Sequence, residues 1–134
     1  MNPHLFVYGT LLSTAGHPMG ARLQREARLI GEAFLPGRLY RIGEYPGLVE
    51  DTDPQVQVHG EVYVLHDPAN TLTWLDAYEG IVPGAALDRN EYERVERPVR
   101  LASGEQITVW VYLYRKDVAR FRLIPDGRWG SAAS

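Results

Sequence analysis

The chain has 134 residues, of which 45% are hydrophobic, with no cysteine and a net charge of -3. This is enough apolar material for one self-supporting domain. The missing cysteine excludes a disulfide framework, a thiolate metal site and a cysteine nucleophile, and a pI near 5.8 with no basic run argues against a nucleic-acid partner.

In chain order, Leu5–Tyr8 reads as a short buried strand that ends at Gly9. Residues 17–28 read as a helix, because Met19, Leu23 and Ala27 recur every fourth position. Residues 29–50 are strand-like but punctured by Gly31, Pro36, Gly37, Gly43 and Gly47, which predicts bent strands with Pro46-Gly47 as a turn. Residues 58–65 form a strand, with Val58, Val62 and Val64 on one face and His59, Glu61, Tyr63 and Leu65 on the other. A helix follows, delimited by Asp67 as N-cap, Pro68 at its first position and Gly80 after its last turn.

Residues 92–102 read as a strand whose Pro98 marks an edge or a bulge, and Ser103-Gly104 turns it into a returning strand, 106–114. That last strand is apolar on both faces: Ile107, Val109, Val111 and Leu113 on one, Trp110, Tyr112 and Tyr114 on the other. Both faces are therefore expected to be covered. Bent strands, glycine corners and two helices predict an α+β fold, a small mixed β-barrel with flanking helices. We expect a single domain over 1–134 with a flexible tail from about 125. No run approaches the ~20 apolar residues of a membrane span and no leader pattern is evident, so a cytoplasmic setting without membrane contact is expected.

The four histidines, His4, His17, His59 and His66, do not pair at zinc-ligand spacing. No serine elbow and no phosphate-binding glycine loop occurs, so neither metal nor cofactor is expected. Among the carboxylates, Glu79 stands out. It follows Leu72 and Leu75 on one helical stripe, at the border of the inward face and in the last turn, where the helix dipole is negative. Burial and dipole both raise its pKa, the profile of a general acid–base, although a helix-end glutamate can also simply be solvated. Asp76 reads as a surface residue, and Glu61 as a partner for an arginine of the next strand. "YGTLL" at 8–12 is either a plain turn, with Gly9 in a conformation other residues avoid, or an anion nest of the Gly9, Thr10 and Leu11 N–H groups.

"FVYGTLL", "GRLYRIGEYPGLV", "VHGEVYVL", "LDAYEG" and "YERVERPV" occur in this order over residues 5 to about 114. The series resembles the gamma-glutamylcyclotransferase-like superfamily, especially its gamma-glutamylamine cyclotransferase-like branch. The resemblance implies a small-molecule γ-glutamyl substrate, cyclised to 5-oxoproline with release of an amine. It implies that Tyr8, Gly9, Thr10 and Leu11 form the substrate-binding loop and that Glu79 is the catalytic acid–base. It also places Tyr92, followed by Arg94, and Tyr45 at the same pocket. Leu12 stands where amine-specific members often carry Lys, and Arg128 in "IPDGRWG" stands where an acidic residue is common. The rival expectations are a non-catalytic metabolite-binding protein on the same pocket and an amidohydrolase in which Glu79 activates water.

Overall fold

The computed structural model describes residues 1–82, 84 and 90–130. In chain order its elements are β1 (His4–Val7), α1 (Pro18–Glu26), β2 (Ala27–Arg41), β3 (Pro46–Glu50), β4 (Gln57–Leu65), α2 (Pro68–Tyr78), β5 (Tyr92–Leu101), β6 (Gln106–Tyr114) and β7 (Arg122–Ile124). Strands β2, β4, β1, β6 and β5 pair in that order, and β5 returns to β2 at Ala33↔Leu101, closing a five-stranded barrel. All these pairings are antiparallel except β1 with β6, which meet in parallel at Leu5↔Trp110, so the barrel is mixed.

The long strand β2 organises the fold. Its first part pairs with β4 down to Pro36↔Gln57, and its last part pairs with β3 and β7. Gly31, Pro36 and Gly37, which suggested several bent strands, therefore lie within one strand of 15 residues, while Gly43 falls in the turn after it and Gly47 in β3. Those within β2 serve the changes of partner: the register shifts between Leu29 and Gly31, and at Gly37 a Cβ would lie 2.9 Å from Val49 O. Pro46-Gly47 does not form the turn expected of it but opens β3, opposite Arg41 and Tyr40. The turn lies just before, where Ile42 N–H donates to Tyr45 O at 3.1 Å. Gly47 is small because a Cβ there would meet the Tyr114 ring at 2.7 Å.

Alternation along the strands divides the core in two. Phe6, Tyr8, Val58, Val62, Val109, Val111 and Leu113 fill the barrel, while Leu5, Val7, Tyr63, Leu65, Tyr112 and Tyr114 face outward under Leu23, Leu72 and Leu75 of the helices. Both faces of β6 are thus covered. Helix α1 is shorter than the periodicity suggests. His17 caps it, accepting from Met19 N–H at 3.0 Å, but Ala27 is already extended and leads straight into β2. Pro98 sits where β5 pairs with β6 alone, the edge that proline requires.

The segment expected to be loose from 125 onward is packed as far as Gly130. His59 N–H donates to Gly127 O at 2.9 Å, and Trp129 packs on the barrel core beneath the Arg41 guanidinium, 4.6 Å from its ring centre. Gly127 has φ +66 and lies so close to β4 that a Cβ would collide with Gln57 O. Residues 131–134 lie outside the described residues. No helix among the described residues is long and apolar enough to cross a membrane.

Candidate active site

At the barrel mouth, where β1 ends, a cavity of about 40 Å³ is lined by Tyr8, Gly9, Thr10, Leu11, Tyr45, Pro46, Glu79, Tyr92 and Tyr112, with Phe6 and Val7 behind them. It adjoins an outer cleft of about 250 Å³ that shares Thr10, Tyr45, Glu79 and Tyr92 and adds Tyr78, Gly80 and Glu91. The structure therefore brings together every residue of the sequence-derived site: Glu79, the 8–11 loop, Tyr45 and Tyr92. Arg94 is not in the lining. Its guanidinium forms a two-pronged bond to Asp76, at 2.8 and 3.1 Å, and lies over Trp110. Leu12 lines a different cavity, beside His59 and Trp129.

Helix α2 delivers Glu79. Asp67 accepts from Asn70 N–H at its start, and Leu72 and Leu75 are buried. Glu79 is the C-terminal cap, its own N–H bonded to Leu75 O at 2.9 Å, and Gly80 reverses the chain at φ +77. The carboxylate of Glu26, at the end of α1, clamps the helix from behind. It accepts from Thr71 Oγ1 at 2.7 Å, Trp74 Nε1 at 2.9 Å and Arg22 Nε at 3.1 Å, and these bonds, Trp74 foremost, hold its pKa below the usual range.

The Glu79 side chain turns into the cavity and forms no ion pair among the described residues. Burial first, then the negative charges of Asp76 and Glu91, push its pKa up to about 7. The group is half-buried, its inner side against the tyrosines and its outer side open to the cleft.

The tyrosines are anchored rather than free. Tyr8 donates to Tyr112 O at 2.6 Å and accepts from Leu48 N–H, and Tyr92 donates to Pro46 O at 2.6 Å. Tyr112 donates to Asp76 at 2.7 Å. Burial drives all three hydroxyls far above the ordinary phenol value, so they stay neutral. Asp76, read from sequence as a surface residue, is thus the junction of Arg94 and Tyr112. Tyr112 itself escaped the sequence reading. Its position on the outer aromatic face of β6 was visible, but its contact with α2 was not.

In the 8–11 loop, Leu12 N–H closes a turn on Gly9 O at 3.0 Å, whereas the N–H groups of Gly9, Thr10 and Leu11 donate to no acceptor among the described residues. Thr10 Oγ1 and Tyr78 OH are hydrogen-bonded at 2.8 Å, tying the loop to α2. Gly9 does not have the left-handed backbone that its turn suggested; it is not among the positive-φ glycines. Glycine is required there because a Cβ would lie 2.6 Å from the Pro46 ring. Glu61 takes no arginine as partner among the described residues. It accepts from Ser13 N–H at 2.8 Å and Ser13 Oγ at 2.6 Å, holding down the far end of the same loop. No cluster of three or more metal-ligating side chains occurs among the described residues.

A carboxyl whose pKa is raised to about 7, in one tyrosine-walled cavity with amides that have no acceptor among the described residues, can receive an anionic group at one end and move a proton at the other. Comparisons with known proteins bear on the family and the fold. A family model, gamma-glutamyl cyclotransferase, AIG2-like, matches residues 5–131. The Escherichia coli (strain K12) gamma-glutamylcyclotransferase family protein YtfP is 31% identical over 126 residues, covering 93% of this chain and 94% of that one. Its solution structure aligns over 96% of both chains with a TM-score of 0.62. The crystal structure of a mouse AIG2-like protein, 24% identical, matches the fold with a TM-score of 0.67 over 89% of this chain and 81% of that one. On this family match and the shared fold, the chain belongs to the gamma-glutamyl cyclotransferase, AIG2-like family.

Proposed function

We propose that the protein cyclises a γ-glutamyl amine or amide to 5-oxoproline and releases the amine, with Glu79 as general acid–base. The observation that supports this reading is the Glu79 carboxyl, without an ion pair among the described residues and with its pKa raised to about 7, lining one cavity with the 8–11 loop, whose Gly9, Thr10 and Leu11 N–H groups have no acceptor among the described residues. The loop amides receive the substrate's α-carboxylate, and the glutamyl chain curls between Tyr8, Tyr92 and Tyr112 so that its γ-carbonyl lies beside Glu79.

The nucleophile belongs to the substrate. Its α-ammonium gives one proton to the Glu79 carboxylate, and the freed amine attacks the γ-carbonyl carbon, forming the lactam C–N bond. The bond to the departing nitrogen breaks as Glu79 returns the proton to it. The extra proton on the lactam nitrogen passes to the released amine, which leaves as an ammonium ion. Well-oriented intramolecular attack reaches effective molarities of ~10⁵–10⁸ M, and positioned proton transfer adds ~10²–10⁴-fold.

The test is product analysis by mass spectrometry after incubation with a panel of γ-glutamyl amides. We expect 5-oxoproline, and a loss of roughly 10²–10⁴-fold in turnover in Glu79→Gln with the fold retained. Free glutamate, one water heavier, would identify an amidohydrolase instead, and binding without turnover would identify a sensor. Wild-type turnover by Glu79→Gln would remove Glu79 from the mechanism.

A further inference from the structure

The outer cleft lies where the departing amine would extend, so any choice among amines made there rests on the cyclotransferase reading. Its walls are the rings of Tyr45, Tyr78 and Tyr92, and its charged groups are carboxylates, Glu79 at the back and Glu91 at the rim. No Lys or Arg lines it among the described residues. Tyr45 OH donates to Glu91 Oε2 at 2.8 Å, which fixes that carboxylate in place and leaves its other oxygen without a hydrogen bond among the described residues. Glu91 Oε1 is therefore available to a ligand in the cleft. Beside it, the Tyr45 and Tyr92 rings stand 6.2 Å apart, tilted by 55°. Aromatic faces combined with an anchored carboxylate attract an ammonium ion. A ligand carboxylate at the same place would meet Glu91 and Glu79 with no cation to offset them.

We infer that Glu91 is a specificity-determining residue that selects γ-glutamyl amides whose departing amine carries a second, positively charged ammonium, and disfavours those that end in a carboxylate. The discrimination acts on the leaving group alone, because the glutamyl end is held on the other side of Glu79. Since Glu91 is exposed, its attraction is screened by salt.

The experiment compares three amides of the glutamate γ-carboxyl, with pentylamine, cadaverine and aminocaproate. They have similar chains ending in a methyl, an ammonium and a carboxylate, and the readout is kcat/KM. In the wild type the cadaverine amide should exceed the pentylamine amide by roughly tenfold, with the aminocaproate amide below both, and the spread should narrow at high salt. In Glu91→Gln, whose amide oxygen still accepts from Tyr45, the spread should fall to about twofold. A thermal melt shows whether that variant is folded. Tyr45→Phe provides the second arm, since it keeps the Glu91 charge but releases the carboxylate from its anchor, so its spread should fall between those of the wild type and Glu91→Gln. Equal kcat/KM for the three in the wild type, an undiminished spread in Glu91→Gln, or a smaller spread in Tyr45→Phe than in Glu91→Gln would each overturn the assignment. If the wild type cyclises none of the three, the cyclotransferase reading itself falls.

Discussion

Burial and the charges of Asp76 and Glu91 raise the Glu79 pKa to about 7, and the direction of each contribution makes its proposed role testable. The carboxylate must be ionised to accept the first proton, so kcat/KM should rise as pH climbs through about 7. Asp76 contributes a like charge that keeps the Glu79 proton on. Asp76→Asn, which also leaves the Arg94 cation unpaired, should move this acidic limb to lower pH; an unmoved limb would show that Asp76 does not act on Glu79.

The same shift has a consequence for stability. The folded-state pKa is raised, so the contribution is fully present below the unfolded value and is lost as pH rises through about 7. Glu79→Gln should therefore melt above the wild type at about pH 8, on the order of 2 kcal/mol after allowing for screening at the open side, and the gap should shrink as pH falls and close below about pH 4.

Glu79 was legible because it depends on one helix alone: its stripe, its last turn and its glycine stop. Asp76 and Glu61 were not. Their partners Tyr112, Arg94 and Ser13 arrive from other elements, and a local pattern carries no trace of such a meeting.

At the scale of elements, the loop after β1 is held at one end by a helix and at the other by a strand. Thr10 is fixed by Tyr78 of α2, and Ser13 by Glu61 of β4. Removing the second anchor loosens the loop without touching Glu79. Glu61→Ala and Ser13→Ala should therefore raise KM severalfold and leave kcat nearly unchanged, because a part-buried hydrogen bond to a carboxylate contributes ~1–2 kcal/mol. A matching fall in kcat would place Glu61 closer to the chemistry than its bonds do.

Most elements could be read from period and punctuation. The strand 106–114, the hairpin at Ser103-Gly104 and the cap-to-stop helix all stand where the sequence puts them. Strand β2 departs from its sequence pattern for a physical reason. Gly31, Pro36 and Gly37 look like breaks, but they are the places where one continuous strand exchanges its neighbours. Short β7 left no signal of its own; it is a strand only because the end of β2 offers it an edge.

At the scale of the whole molecule, barrel closure draws β1 and β4 together so tightly that only glycine fits at position 60. A Cβ there would run into Val7 O and the Phe6 ring. Gly60→Ala should cost about 1–3 kcal/mol or more through overpacking, read as a lower melting temperature, and should widen the cavity whose rear wall is Phe6 and Val7. An unchanged melt would mean that the β1–β4 seam has slack that the structure does not show.

The order of neighbours around the barrel also bears on how the protein is made. Strand β1 comes first in the chain but lies between β4 and β6, the latter ending at Tyr114. During synthesis its first neighbour, β4, is complete at Leu65, but its second, β6, only at Tyr114, when most of the polypeptide has emerged. Until then the cavity proposed to receive a substrate's carboxylate does not exist, because its amides, its aromatic walls and Glu79 belong to segments still being assembled. A nascent or clipped chain would thus be blind to its ligand. Protection by bound substrate should appear in a single step, only once the last staves of the barrel have docked.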